Sequence, residues 1–597
     1  MGIRAPTVRA WAGAASLLVI GLCIDAGDAA AKGYVVRITG NGSDAVADTV
    51  KQVSELMKRA AEATPPPEIL EQRARRDRGT IEAAMRALGY YDGTVRVTVD
   101  SHARPPTATI TVDPGPLYTI GPYSVTEMPG GAAPRVPIDR KAIGVATGTA
   151  AAGATIADAD HRVEREYRAK GYVFAKVTDR RVVIDHASHT AAISLQVDPG
   201  PVAHVGTIAV TGLDRVTESF VRRRITLKPG ALLTSVAIEK TRGNLADSGL
   251  FSSVQVDYPA DLAHADAVPV TVAVVERARH TIGAGISYST NFGAGANASW
   301  EDRDLFHEGE KLSANASYAQ RQQLATLNYR QPDLFLDPDQ ALLLGLEYRD
   351  EITNTFDVRR FVATAGVERT LWEDWKLTYG TKLEEAHVVR NGEPFDEHLV
   401  GFPVTLSHDT SGSLLDPTHG GRLTLTGAPY LPITSQPGFL VLRGRQTYYH
   451  AFDAESRWVG ALWGELGSIP GASRDQIPFS ERFYAGGGGS VRGYGYQLAG
   501  PVDAFKNPVG GASEAQAGVE LRIKITDTIG LVPFAEAGSV YPTTFPELQG
   551  RMFAGGGLGA RYYTSIGPIR IDLAAPFQRR SGIDDAVQFY ISLGQAF

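Results

Sequence analysis

The chain has 597 residues, 43% of them hydrophobic and 21% charged, with a formal net charge of −7. It is too long for one ordinary domain, and the mild, dispersed acidity argues against a nucleic-acid partner. Its one cysteine, Cys23, lies near the N-terminus, which leaves the rest without a thiol, a disulfide or a thiolate metal site.

Residues 1–31 read as a signal peptide. Arg4 and Arg9 precede an apolar run from Trp11 to Ile24, and Ala29, Ala30 and Ala31 supply small residues for cleavage. The run is too short and too rich in glycine and alanine for a membrane helix. Leu22 stands before Cys23, where a lipoprotein signal requires a small residue, so lipidation is not expected. No later run approaches the length of a membrane helix, and a membrane-embedded chain of this kind must cross with strands.

Residues 32–277 repeat themselves at roughly 80-residue spacing. VDPGP occurs at Val112 and again at Val197. GYYDGTVRV from Gly89, GYVFAKVTD from Gly171 and GLFSSVQVD from Gly249 align as a second shared element. An amphipathic helix pattern precedes each of these glycines: Ile81, Met85 and Leu88; Val163 and Tyr167; Ile238 and Leu245. Glycine just past the last apolar position suits a left-handed helix cap. Alternating strands follow, as in Val95, Val97 and Val99. The expected order in each unit is strand, helix, helix, strand, strand: an α+β module with helices on one sheet face. Three units are expected, at 32–116, 117–201 and 202–277.

From residue 278 onward the pattern changes to about sixteen short alternating segments. In the segment from Gly567, Ile569, Ile571 and Leu573 oppose Arg570 and Asp572. In the last segment Val587, Phe589, Ile591 and Leu593 oppose Gln588, Ser592 and Gly594. Apolar outside and polar inside describe a 16-stranded antiparallel transmembrane β-barrel over 278–597. Closure also removes the edges that so many strands would expose. Trp372, Trp375, Tyr448 and Tyr449 lie near segment ends, as interfacial girdles require.

The stretch RFYAGGGGSVRGYGY, from Arg482, interrupts this pattern in a long Gly- and Pro-rich connection. A long loop inside a compact domain is usually functional. The glycines let the backbone turn tightly and approach the barrel wall. Arg492 carries a planar fork of donors suited to a carboxylate.

The stretch resembles the sixth-loop motif of the BamA/TamA superfamily, centred on Val491, Arg492, Gly493 and Tyr494. The repeated units likewise resemble that superfamily's POTRA modules. The resemblance implies a loop folded back into the barrel lumen, its arginine meeting an acid in a motif carried here by Phe534, Glu536 and Gly538. Glu536 stands where the family usually has aspartate. A single pair in a wet lumen is expected to contribute only about 1 kcal/mol. HDTSGSLLDPTHGG, from His408, resembles a further barrel motif through Asp409, Asp416, Pro417 and Gly420. The terminal Phe597 resembles the signal by which barrels are recognised for assembly.

Three modules make the chain most similar to the TamA branch. That likeness implies an outer-membrane subunit of a translocation and assembly module in a Gram-negative bacterium. It also implies three partners: a TamB-like protein anchored in the inner membrane, unfolded outer-membrane clients such as autotransporters, and the outer-membrane lipid beside the barrel. The implied mechanism is a weak lateral seam between the first and last strands, with Gly283 and Gly285 on one side and Gly594 on the other. Glycine weakens strand pairing, though it also occurs in strands to relieve crowding. A dedicated secretion pore of the two-partner type is the competing reading. Catalytic residues, cofactors and metal ligands are not expected: no G-x-S-x-G elbow, zinc spacing or phosphate loop occurs.

Overall fold

A computed structural model describes residues 33–597 except 42, 63, 129, 132–133, 260–265, 290–291, 354–355, 373, 391, 434–435, 548–549, 565–566, 594 and 596–597. The signal-peptide reading of 1–31, Gly594 and Phe597 lie outside the described residues. The chain divides into two compact units, one ending at Val202 and one beginning at Ala203.

The first unit holds two modules. One comprises β1 (Val35–Gly40), α1 (Asp44–Val53), α2 (Glu55–Lys58), α3 (Pro67–Ala87), β2 (Thr94–Asp100) and β3 (Thr107–Asp113). Its sheet runs β1-β3-β2, with β1 parallel and β2 antiparallel to β3. Helix α3 buries Leu70, Ala74, Ile81 and Met85, the spacing of one helix face. The other module comprises β4 (Thr119–Glu127), α4 (Gly153–Ala169), β5 (Lys176–Asp185) and β6 (Thr190–Asp198), in the order β4-β6-β5. Here the sequence expectation of two helices needs correction. Among the described residues only α4 is helical, and 139–144 form turns. Gly130, Gly131, Pro134, Pro137, Gly144 and Gly148 punctuate this stretch too often for a helix to propagate. Arg140 pins it instead, donating to the carbonyls of Gly121 at 2.8 Å and Val145 at 3.2 Å.

The second unit opens with a third module: β7 (Val205–Thr211), α5 (Glu218–Arg224), α6 (Ser235–Asp247), β8 (Phe251–Asp257) and β9 (Val268–Glu276), in the order β7-β9-β8. Gly89, Gly171 and Gly249, which close the last helix of each module, all take positive φ of 97°, 95° and 73°. Only glycine enters that region freely.

A closed antiparallel barrel follows, from β10 (His280–Ser289) to β26 (Gln588–Leu593). Seventeen strand segments make sixteen staves. β17 (Glu393–Gly401) and β18 (Val404–Asp409) both pair with β16 (Trp375–Arg390) and with β19 (Gly420–Pro432), so they are two halves of one stave. The break falls at Phe402 and Pro403, and proline has no N–H to continue the ladder. Alternation sets the faces. On β25 (Gly567–Pro576), Ile569, Ile571 and Leu573 are exposed, while Arg570 and Asp572 are buried inside.

Helix α5 ties the third module to the barrel. Arg223 and Arg224 both reach Asp333, in the turn after β13 (Gln322–Pro332), at 2.7 Å. Glu308, in the turn after β11 (Gly293–Asp302), accepts from Thr217 at 2.7 Å, from Ser219 at 2.9 Å and from Arg223. Gly309 makes room for the ring of Phe220, where a Cβ would stand 2.6 Å from a ring carbon. Removing Asp333 strips two arginines of their shared acceptor. Asp333→Ala is expected to cost about 2 kcal/mol locally, read as roughly thirtyfold faster deuterium exchange across residues 217–225 with the barrel strands unchanged.

Candidate functional site

The connection between β21 (Trp458–Ser468) and β22 (Ser513–Lys524), residues 469–512, fills the lumen. Apolar residues carry its upper part inward. Ile477, Phe483, Val491, Tyr494 and Ala499 pack against Leu399, Tyr430, Phe439, Val540 and Phe553 of the barrel wall. The interior is therefore partly an apolar core, where an all-polar lumen was expected. Tyr494 is wholly buried and its hydroxyl donates to the carbonyl of Gln578 at 3.0 Å.

Arg492 sits at the centre with 0% exposure. Its backbone N–H donates to Glu536 Oε2 at 2.8 Å and its Nε to Glu536 Oε1 at 2.9 Å. Nη2 meets Glu520 at 2.7 Å and Nη1 meets Asp572 at 2.7 Å. The guanidinium stacks on the Phe534 ring, 3.5 Å from its centroid. Glu536, Phe534 and Gly538 share one face of β23 (Ile529–Tyr541) by the period of two. The longer glutamate lets one carboxylate bridge the backbone and side chain of the same arginine.

This overturns the expectation of a solvated pair worth about 1 kcal/mol. The arginine is dry and holds three carboxylates, so its loss leaves charges buried without compensation. Gly493 allows the approach: a Cβ there would stand 2.7 Å from the Ala575 carbonyl and 3.0 Å from the Cα of Gly555.

Glu520 and Asp572 were not singled out from sequence, nor were Arg522 and Arg561. The signal was present in the alternation, because each falls on the lumen face of its strand. The structure joins them into one network. Arg522 reaches Glu520 at 3.1 Å and donates to the Pro417 carbonyl at 3.2 Å. Arg561 meets Asp572 at 2.6 Å and donates to Gln595 at 2.8 Å. Gln595 in turn donates to Asp416 at 2.9 Å and, through its backbone, to the Leu415 carbonyl at 3.1 Å. The turn carrying Asp416 and Pro417 is thus linked both to the loop arginine and to the end of the last strand. Asp409 shapes that turn, accepting from the Ser411 backbone at 2.9 Å and from Arg422 at 3.0 Å. At Gly420, φ is 75° and a Cβ would lie 2.1 Å from the Thr410 carbonyl.

Gly283 and Gly285 lie on β10, where their partners among the described residues are Ser299 and Asn297 of β11. A Cβ at Gly283 would stand 2.5 Å from Ser299 Oγ, and one at Gly285 would stand 2.9 Å from Asn297 Oδ1, both on neighbouring β11. Among the described residues, β10 and β26 pair at Tyr288 with Ile591 and at Ser289 with Tyr590, and β10 and β11 pair at ten positions.

Comparisons with known proteins agree with this architecture. Residues 304–597 match the Omp85 superfamily domain. Residues 35–114 match a POTRA domain described as TamA domain 1, and 203–277 match a POTRA model described as a surface antigen variable number repeat. The chain is 22% identical over 498 residues to outer membrane protein assembly factor BamA of Neisseria meningitidis, covering 73% of this chain and 62% of that one. It is 23% identical over 456 residues to the same factor of Nitratidesulfovibrio vulgaris, covering 73% and 57%. The chain thus spans about six-tenths of the length of these curated relatives. BamA from Haemophilus ducreyi lacking POTRA domains 1–3 shares the fold, with a TM-score of 0.59 at 20% identity over 79% of this chain and 99% of that one.

Arg492→Ala is expected to destabilise the barrel by about 3–5 kcal/mol and to expose the 469–512 loop to protease. Arg492→Lys should rescue little, since one ammonium cannot serve three carboxylates in fixed directions. Urea unfolding in detergent and limited proteolysis read the two effects.

Proposed function

The chain belongs to the BamA/TamA superfamily of outer-membrane proteins with periplasmic POTRA domains, and from that membership we propose that it is the outer-membrane subunit of a translocation and assembly module. In this reading the modules at 32–116, 117–201 and 202–277 are its three POTRA domains and 278–597 its barrel. It receives unfolded outer-membrane proteins, such as autotransporters, from the periplasm. It releases them sideways into outer-membrane lipid through the seam between β10 and β26.

The two-pair seam carries this reading. Over 280–287, β10 has no partner on that side among the described residues. Unpaired strand edges present a row of backbone donors and acceptors, and an added strand satisfies them. Gln595, just past the last strand, supports the same picture, because Arg561, Asp416 and the Leu415 carbonyl hold it. The filled lumen favours lateral release over axial passage through a pore.

The branch reading is supported by the first module, which matches a model described as POTRA domain TamA domain 1. It favours a TamB-like, inner-membrane-anchored partner docking on that module.

The seam is tested with a Tyr288→Cys, Ile591→Cys double variant in liposomes. Oxidation is expected to reduce client insertion to the level of empty liposomes, and a reductant to restore it. Undiminished insertion in the oxidised state overturns the lateral mechanism. The partner is tested by capture with the full chain from solubilised envelopes. Recovery of a large inner-membrane-anchored protein supports the assembly module, and recovery of a single secreted protein instead points to a dedicated secretion pore.

A further inference from the structure

Just inside the two-pair seam lies a cavity of about 470 Å³. Tyr590, Ile591 and Ser592 of β26 form one wall, and the glycine-rich backbone from Gly488 to Ser490 forms another. Three arginines line it, Arg443, Arg482 and Arg570, and among the described residues no aspartate or glutamate does.

The three arginines differ in how their charge is met. Arg443 is balanced by Glu514 at 3.0 Å and Glu465 at 3.3 Å. Arg482 is buried, yet its guanidinium donates only to the backbone carbonyls of Ile477 at 2.9 Å, Val509 at 3.1 Å and Asp475 at 3.4 Å. No carboxylate among the described residues lies within ion-pair distance of it. Arg570 is 6% exposed and its Nε has no hydrogen-bond partner. Its nearest carboxylate, Asp572 at 3.3 Å, already accepts from Arg492 at 2.7 Å and Arg561 at 2.6 Å. Two buried cations therefore border one cavity, Arg482 without an ion pair among the described residues and Arg570 with a carboxylate it shares with two other arginines. Cations so placed are costly unless an anion completes them, and a guanidinium retains donors for it.

We propose that this cavity is a receiving site for a carboxylate carried by a strand entering at the seam, with Arg482 and Arg570 as its specificity-determining residues. The inference rests on the seam accepting a strand, as proposed above. Side chains of an added strand alternate between lipid and lumen. Beside Tyr590 and Ile591, the lumen-facing ones enter the cavity. An acidic side chain or a terminal carboxylate is drawn to the two arginines, while a lysine is repelled. The site would then select among clients and fix their register.

The test uses the full chain in lipid nanodiscs and four labelled ten-residue strand peptides. Each alternates apolar and polar positions and carries either Glu or Gln at the central lumen-facing position, with a free or an amidated C-terminus. Fluorescence anisotropy reads affinity. The amidated Glu peptide is expected to bind about tenfold or more tightly than the amidated Gln peptide, and the preference is expected to weaken with salt. If the free terminus confers the preference instead, the terminal carboxylate is the group received. In Arg482→Gln and Arg570→Gln, checked for folding by heat-modifiable gel mobility, the Glu-to-Gln ratio is expected to fall towards one. Arg570→Lys keeps the charge and should retain part of the ratio. Measurable binding of all four peptides at equal affinity to the wild-type protein overturns the carboxylate site and leaves strand acceptance standing. Binding of none overturns both.

Discussion

One buried arginine organises the barrel interior. Arg492 has no access to water, so its charge must be met by protein groups or the loop cannot stay inside. Three strands meet that demand with Glu520, Glu536 and Asp572. Each carboxylate would itself be costly in a dry lumen without the arginine. The dependence is mutual, and it makes the inward position of the 469–512 loop a property of charge balance as much as of apolar packing. The same network runs on through Arg522 to the turn at Pro417 and through Arg561 to Gln595. Loop, turn and chain end are held by one set of ions.

That arrangement explains how a closed barrel tolerates a weak seam. Closure normally depends on pairing all around the sheet. Here two residue pairs join the first and last strands among the described residues. The last strand is held from the inside instead: Tyr590 donates to the carbonyl of Arg492 at 3.2 Å, and Arg561 holds the chain end. Interior contacts thus hold the last strand alongside its edge hydrogen bonds.

Much of this was legible in the sequence for identifiable reasons. A period of two, repeated through Ile569, Ile571 and Leu573 against Arg570 and Asp572, can only be satisfied by a strand with two different solvents. Helix-ending glycines at 89, 171 and 249 announced a repeated backbone geometry. Arg492 stood out because a glycine-rich loop interrupts the alternating strands, and Glu536 because its stretch resembles the acidic motif that meets such an arginine. The second module's missing helix was misread because amphipathic spacing was transferred from its neighbours across a stretch broken by glycine and proline. Glu520, Arg522 and Arg561 went unnoticed, and Asp572 was read only as lumen-facing, because each is an ordinary lumen-facing residue of its own strand.

The sequence by itself determined the repeated α+β modules, the sixteen-stave barrel, which face of each strand meets lipid, and the loop that must be buried. These follow from local periodicity and from backbone geometry that only certain residues adopt. Only the tertiary structure decided that Arg492 is shared among three acids. It also decided that Gly283 and Gly285 stand against Ser299 and Asn297 of β11, where a side chain would be crowded. Those facts depend on register and shear around a closed sheet, which bring together residues as far apart as Asp416 and Gln595, and no local pattern encodes that closure.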